Sequence, residues 1–175
     1  MSWFILFLCI FYIGSFGGFL IEIIYRRFAH KKWANPGSLV GPYTPMYGFA
    51  LMTLTGIYLF FKNIEMNPFI VILIMGVAMT LVELIGGLPY INKPNKVWDY
   101  SKYWGNYKGT ICPLFSFIWT ILSGLYYFLI GPFIINILSY VVDNDILIFI
   151  LGMLSGIMLI DFICSNKLYK RKNNN

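Results

Sequence analysis

Long apolar runs separated by short polar stretches dominate the chain. The hydrocarbon core of a bilayer requires about 20 apolar residues of helix. Five runs reach or approach this length, so we predict a single integral membrane domain over residues 1–175 with an all-α, polytopic fold. The predicted spans cover about 3–25, 41–61, 68–90, 111–131 and 146–164.

The fourth apolar run leaves its own architecture open. Residues 109–142 contain no charged side chain, and a run of this length is too long for one upright span and short for two. Proline lacks a backbone N–H and clashes with the preceding helical turn, so Gly131-Pro132 is the expected breaking point. We favour one span to Ile130 followed by an interfacial or half-inserted piece to Tyr140. One kinked span is the alternative.

The distribution of basic residues predicts the orientation. With five spans, loops 26–40 and 91–110 and the tail 165–175 lie on one side of the membrane. They hold every Lys and Arg except Lys62. Because basic residues are concentrated in cytoplasmic loops, we predict an external N-terminus and a cytoplasmic C-terminus.

Composition supports lipid as the solvent for this chain. It is 59% hydrophobic and only 11% charged, whereas soluble domains carry about 25% charged residues. The excess of basic residues, 13 Lys and Arg against 7 Asp and Glu, is therefore interpreted as a signal that sets membrane orientation and not as a nucleic-acid-binding patch. Three scattered cysteines and one histidine predict neither a disulfide framework nor a metal cluster, and we expect no cofactor.

Two short stretches resemble each other. WANPGSLVGP (33–42) and WGNYKGTICP (104–113) share Trp, Asn two places on, a β-branched residue seven on and Pro nine on. Each lies in a predicted cytoplasmic loop after an inward-running span. This indicates two hairpins inserted the same way, a parallel repeat of the kind found in some transporters. The alternative is that these residue types simply recur at membrane interfaces.

Three acidic residues lie within predicted spans, and two of them lie away from the basic tail. An ionisable group within a span costs about 2.5–3.5 kcal/mol on insertion scales and commonly marks a functional site. Small residues at helical spacing share their faces, which permits close approach of another helix. One interpretation is a substrate- or proton-contacting pair facing one pocket; the other is that each acid holds a cytoplasmic loop by a hydrogen bond. The acids are Glu22, with Gly14 and Gly18, and Glu83, with Gly76, Thr80 and Gly87.

Two further features have interfacial interpretations. Asp161, six residues before Lys167, can reach the headgroup region, and we expect it to be an interfacial anchor or a partner of the basic tail. The aromatic stretch from Trp98 to Lys108 fits an ordinary cytoplasmic belt. Its interleaved lysines also suit an anionic headgroup.

Several of these motifs together resemble a known family. NPGSLVGPYTPMYG (35–48), Glu83 and the stretch from Trp98 to Trp119 are similar to the CmpB-like, ABC-transporter type IV permeases of bacterial cytoplasmic membranes. The resemblance runs from about Glu22 to Trp119, although Thr120 stands where we expect glycine. It implies candidate motif residues in both loops: Asn35, Gly37, Gly41, Pro42, Pro45, Tyr47, Gly48, Trp98, Asp99, Tyr100, Ser101, Asn106, Gly109 and Cys112.

The function expected from these features is that of a permease subunit with an unidentified substrate. The chain contains no G-x-x-x-x-G-K-[ST], G-x-S-x-G or H-E-x-x-H motif, so we expect no enzymatic activity, and an ATPase would have to be a separate chain docking on the cytoplasmic loops. At this size a translocation path calls for a second copy or a partner. The alternatives are a scaffold or regulatory subunit and a lipid-headgroup-binding membrane enzyme.

Overall fold

The protein is all-helical, as predicted. The structure, a computed structural model, describes residues 2–31, 33, 35, 39–91 and 98–173, and the side chains of residues 29, 30 and 166–173 fall outside this description. Within these residues no strand forms, and the irregular elements are a 3-10 turn at Leu88–Tyr90 and a π-helical turn at Tyr126–Ile130. The α-helices are α1 (Trp3–His30), α2 (Pro45–Lys62), α3 (Pro68–Gly87), α4 (Pro113–Leu125), α5 (Gly131–Val141) and α6 (Asp145–Asn173).

The helices begin where the local sequence supplies a start signal. Pro45, Pro68 and Pro113 open α2, α3 and α4, because the first helical position needs no backbone N–H donor and suits the fixed φ of proline. Asn67 caps α3 by accepting a hydrogen bond from the Phe69 N–H at 2.9 Å. Asn144 caps α6 in the same way, accepting from the Ile146 N–H at 2.9 Å.

Four helical segments among the described residues are long and apolar enough to cross a membrane. They are Trp3–Phe28, Pro68–Tyr90, Pro113–Val141 and Asp145–Ser165. The predicted second span corresponds to α2, which has 18 residues and ends at Lys62. At ~1.5 Å per residue this helix is about 27 Å long, slightly less than the ~30 Å hydrocarbon core.

The fourth apolar run stays helical throughout its length. The expected break at Gly131-Pro132 is replaced by the π-helical turn, in which the Gly131 N–H donates to the Tyr126 carbonyl five residues earlier. A π turn absorbs an irregular hydrogen-bonding pattern without ending the helix. The chain is therefore helical from Pro113 to Val141, and the irregularity precedes the proline instead of following it.

The chain divides into two compact units. The first comprises residues 1–48 and 138–175, and the second comprises residues 49–137. In the first unit, the Tyr12 hydroxyl on α1 donates to Ser155 Oγ on α6 at 3.0 Å. The start of α2 lies against α1, and a Cβ at Gly48 would come within 2.6 Å of the Phe11 carbonyl oxygen. Glycine at position 48 therefore permits this close approach.

The second unit is built around the packing of α3 against α4. Its buried apolar core combines residues of α2 and α3 with Tyr126 of the π turn: Ala50, Leu54, Tyr58, Val71, Met75, Met79 and Tyr126. Gly76 on α3 lies directly against Thr120 on α4, where an added Cβ would be 3.0 Å from the Thr120 Cα. The resemblance leads us to expect glycine at position 120. In this chain the glycine of the contact is Gly76, on the facing helix α3.

Candidate functional site

Glu83 is the most deeply buried acid among the described residues. Its side chain lies on α3 in the second unit, and the residue is only 4% exposed. Oε1 accepts a hydrogen bond from the Tyr100 hydroxyl at 2.8 Å. The Trp119 indole borders the same carboxyl, yet Glu83 Oε2 and Trp119 Nε1 are both buried without a hydrogen-bond partner among the described residues. Among the described residues, Glu83 Oε1 therefore has a hydrogen-bond donor and Oε2 has none.

The loop between α3 and α4 brings Tyr100 to this carboxyl. The Tyr100 ring stacks on Phe115 of α4, with ring centroids 4.1 Å apart and planes 15° apart. The Tyr100 N–H donates to the Gly109 carbonyl at 2.9 Å, which closes the loop behind the ring. The hydroxyl position is thus fixed by contacts at both ends of the residue.

Trp98 and Thr110 attach the same loop to the end of α3. The Trp98 indole N–H donates to the Thr110 carbonyl at 2.8 Å. A Cβ at Gly87 would lie 3.0 Å from Thr110 Cβ and 3.2 Å from the Trp98 ring. Gly87 is therefore required for the loop to pack this closely over the Glu83 side of α3.

The Asn106 side chain joins different parts of the loop by hydrogen bonds. Its amide nitrogen donates to the carbonyls of Ser101 and Tyr103, at 3.2 and 2.8 Å, and its amide oxygen accepts from the Gly109 N–H at 3.0 Å. Gly109 adopts φ +73°, a left-handed conformation that favours glycine. Asp99 accepts from the Ser101 N–H at 3.0 Å. These four predicted motif residues fix the conformation of the loop between Asp99 and Gly109.

A row of hydroxyl side chains lies along α4, the helix that packs against α3. Ser116, Thr120 and Ser123 each donate to the carbonyl four residues earlier. At the π turn, the buried Tyr126 hydroxyl and Thr55 Oγ1 of α2 lie 2.6 Å apart. Because each Ser or Thr donor is used within its own helix, its oxygen retains lone pairs that can accept another hydrogen bond.

Glu22, in the first unit, is fully engaged and less buried. Its side chain is 21% exposed and pairs with Arg26, whose Nε lies 3.2 Å from Oε1. Oε2 accepts from the Tyr47 hydroxyl at 3.1 Å, and Gly18 makes room for the Tyr47 ring. The two acids thus differ in chemistry, since in the part of the chain that the structure describes only Glu22 has a basic partner. The expectation that they face one pocket stays a prediction.

Asp161 organises the loop between α1 and α2. One carboxylate oxygen accepts from the Gly41 N–H at 2.8 Å and the Tyr43 hydroxyl at 2.7 Å. The other accepts from the Val40 N–H at 3.2 Å and the Ser165 hydroxyl at 2.9 Å. Both oxygens are satisfied, so Asp161 acts as an anchor for this loop, and its expected place in the headgroup region stays a prediction. The side chain of Lys167, its proposed tail partner, lies outside the description.

The model of the family described as "Putative ABC-transporter type IV" (CmpB) matches residues 9–166. The chain belongs to this family. No curated protein and no solved structure matches it. As a CmpB-family chain with apolar helices long enough to span a bilayer, it is a membrane protein whose solvent is lipid.

The family motif in the α1–α2 loop has a structural explanation at most positions. Asn35 donates to the carbonyls of Leu39 and Val40 at 2.8 and 3.2 Å. Pro45 opens α2, and Pro42 is exposed beside Gly41, whose N–H binds Asp161. Gly37 lies outside the described residues.

The two similar stretches make different contacts in this CmpB-family chain. Asn35 binds carbonyls that follow it in sequence, whereas Asn106 binds carbonyls that precede it. Pro113 opens α4, but Pro42 precedes α2 by three residues. Their shared spacing therefore does not reproduce the same hydrogen bonds, and the parallel repeat stays a prediction.

The remaining predicted residue of the α3–α4 loop is Cys112. It is a buried free cysteine immediately before α4, and its carbonyl accepts from the Ser116 N–H at 3.0 Å. Among the described residues no cluster of three or more His, Cys, Asp or Glu side chains could hold a metal ion. Cys112 therefore contributes to the start of the helix through its backbone.

Proposed function

We propose that this chain is a permease-type subunit in which Glu83 takes up and releases a proton within the membrane. The observation that carries the proposal is the buried Glu83 carboxyl, with one oxygen bound by Tyr100 and the other without a partner among the described residues. An ionisable group at membrane depth is costly to keep. A purely structural acid would be expected to have both oxygens satisfied, as Asp161 does.

The arrangement around Glu83 suits both protonation states. Tyr100 can donate to Oε1 whether the carboxyl is charged or neutral. A proton can then bind at Oε2 and leave it without breaking that hydrogen bond. The Trp119 N–H, which borders the group, supplies a donor for the charged form. Tyr100 and Trp119 are therefore positioning residues in this proposal, and Glu83 is the exchanging group.

The hydroxyls of α4 support a polar route on one side of the helix. Thr120 and Ser123 lie one and two turns beyond Ser116, and the Thr55–Tyr126 pair follows. Their oxygens are acceptors in an otherwise apolar segment. We propose that they line the path by which a proton or a small polar substrate approaches Glu83.

The wider assignment follows the family. We propose a location in the bacterial cytoplasmic membrane, a non-enzymatic role, and energy supplied by a separate ATPase that docks on the α1–α2 and α3–α4 loops. One chain of 175 residues is too small to enclose a translocation path by itself. We propose that a second copy completes it. The substrate class is left to experiment.

Proton flux through reconstituted vesicles tests the proposal without an ATPase. The full chain is placed in liposomes with a trapped pH-sensitive dye, and a pH gradient is imposed. We expect the wild-type protein to dissipate the gradient and Glu83→Gln to behave like protein-free vesicles. Glu65→Gln is the matched control, because Glu65 is exposed in the α2–α3 turn. Equal flux through correctly folded wild type and Glu83→Gln would refute proton exchange at this site.

A scaffold or regulatory subunit is the second candidate, and Asp161 is the observation that favours it. The Asp161 carboxylate accepts four hydrogen bonds and so fixes the conformation of one loop. This is expected of a subunit whose acids stabilise loops that bind a partner protein. In that case Glu83→Gln would lower stability and leave the gradient experiment unchanged.

A further inference from the structure

The part of the α3–α4 loop from Trp98 to Cys112 exposes aromatic rings on a hydrogen-bonded backbone. Trp104 is 88% exposed and Tyr107 is 50% exposed. Between them Asn106 binds the backbone at three points, and Tyr107 pairs with Ile111 through its backbone. The exposure of Trp104 is therefore imposed by the loop geometry. Large exposed apolar groups held in this way mark interaction surfaces.

The loop also holds Trp104 close to the end of a membrane-spanning helix. Gly105, the next residue, adopts φ +67° and lies against Pro113, where an added Cβ would be 3.0 Å from Pro113 Cγ. Pro113 is the first residue of α4. Trp104 is thus placed at the level where α4 enters the bilayer, the depth at which tryptophan and tyrosine side chains are enriched.

Positive charge accompanies the exposed rings. Lys108 Nζ lies 5.4 Å from the centroid of the Tyr107 ring, within the range of a cation–π contact. Lys102 is exposed on the same loop. The nearby acid, Asp99, turns one oxygen inward to the Ser101 N–H. The described part of the loop therefore offers lysines beside exposed rings, which suits an anionic group.

We propose that Trp104, Tyr107 and Lys108 bind the headgroup of an anionic phospholipid in the leaflet on their own side of the membrane. The indole and phenol rings enter the interface, and the Lys108 ammonium pairs with the lipid phosphate. For these three side chains the contact of Gly105 with Pro113 favours lipid over the proposed ATPase, because it keeps them at the membrane boundary. This inference does not depend on proton exchange at Glu83.

Depth-dependent fluorescence quenching tests where Trp104 lies. The full chain is reconstituted in vesicles of phosphatidylcholine and phosphatidylglycerol, and spectra of wild type and Trp104→Phe are subtracted to isolate one of the five tryptophans. We expect the Trp104 component to be quenched by lipids brominated close to the headgroup and shielded from aqueous iodide. Full access to iodide, with no quenching by brominated lipid, would overturn the proposal and point to a protein-docking surface.

Lipid retention tests the role of Lys108. Native mass spectrometry of the detergent-solubilised protein should show bound phosphatidylglycerol that is lost in Lys108→Gln and in Trp104→Ala. Lys62→Gln is the matched control, since Lys62 also lies over a tyrosine ring, 5.9 Å from that of Tyr58, but at the end of α2, in a segment without tryptophan. Undiminished retention by Lys108→Gln, or equal loss in Lys62→Gln, would contradict a specific headgroup site.

Discussion

The Tyr100 hydroxyl donates to Glu83 Oε1 at 2.8 Å, joining a loop residue to a carboxyl buried on the membrane helix α3. This contact couples the position of the α3–α4 loop to the position of the carboxyl. Tyr100 is held there because its N–H donates to the Gly109 carbonyl and its ring stacks on Phe115. A displacement of the carboxyl therefore displaces the loop, whereas protonation at Oε2 leaves the contact intact.

Removing the Tyr100 hydroxyl should destabilise the second unit. Tyr100→Phe keeps the ring stacked on Phe115 but leaves Glu83 Oε1 without its donor, so we expect the free energy of unfolding to fall by about 1–3 kcal/mol. Denaturant titration in detergent micelles measures this. Tyr103→Phe, which preserves the edge contact with Phe115, is the control, and an equal loss in both variants would argue against the contact.

Breaking the Asp161 anchor should release the α1–α2 loop. In Asp161→Asn the charge is lost and an N–H₂ group replaces one oxygen, where it faces either the Val40 or the Gly41 N–H. We expect the loop to loosen and both amides to exchange hydrogen faster. The unfolding free energy should also fall, by about 1–3 kcal/mol. Exchange measured by mass spectrometry checks the first effect. Asp143→Asn, at an exposed turn, should leave both amides protected.

Tyr43 should make stability depend on pH in the alkaline range. Burial, the hydrogen bond to Asp161 and the Asp161 charge raise the pKa of the Tyr43 hydroxyl above its ordinary value. Its contribution is therefore complete below the unfolded pKa of about 10. It is lost progressively as pH rises above that value, because the unfolded state releases the proton first.

The Tyr43→Phe variant isolates this effect. Its unfolding free energy should decline less steeply with pH above about 10 than that of the wild type, although it starts lower because a hydrogen bond is missing. Tyr140→Phe, at an exposed position, shows whether removing any tyrosine alters the slope. Identical slopes in wild type and Tyr43→Phe would contradict the assignment.

Close packing of α3 on α4 should make position 76 intolerant of a side chain. Gly76→Ala places a Cβ against Thr120, and overpacking of this kind typically costs about 1–3 kcal/mol. Gly124→Ala is the matched control, since its Cβ would meet Ile72 at an ordinary 3.8 Å. Thermal unfolding of both variants measures the difference, and equal stability would show that the two helices can separate easily.

The predicted orientation can be tested by thiol labelling. Cysteine placed at Trp33 or Lys102, in a Cys164→Ser background, should react with a membrane-impermeant maleimide only from the cytoplasmic side. Cysteine at Asp143 should react only from outside. Cys9 and Cys112 are buried and serve as internal references. Labelling of positions 33 and 102 from opposite sides would exclude two hairpins inserted the same way.

Much of the helical architecture could be predicted because apolar run length determines which segments a bilayer accepts. The path beyond Gly131 could not, since Pro132 normally breaks a helix and the compensating hydrogen bond from Gly131 to Tyr126 depends on tertiary packing. α2 is short because Pro45 begins the helix and the charged Lys62 ends it, so the apolar segment between them is limited in length.

The candidate site was predicted less completely. Gly76, Thr80 and Gly87 on the face of Glu83 indicated that its carboxyl points into the bundle. Its partner Tyr100, 17 residues away, depends on how the loop folds and has no local signal. The role of Asp161 in the α1–α2 loop could not be predicted, because two of its donors are backbone N–H groups, of Val40 and Gly41. Every residue except proline carries such a group, so nothing in the sequence marks them.

Infrared spectroscopy across a pH titration tests proton exchange at Glu83 most directly. A protonated carboxyl has a carbonyl stretch separate from the amide bands, and we predict that one component of the pH-dependent intensity is present in the wild type and in Glu65→Gln but missing from Glu83→Gln. A pH-dependent carboxyl band that is identical in wild type and in folded Glu83→Gln would contradict the account.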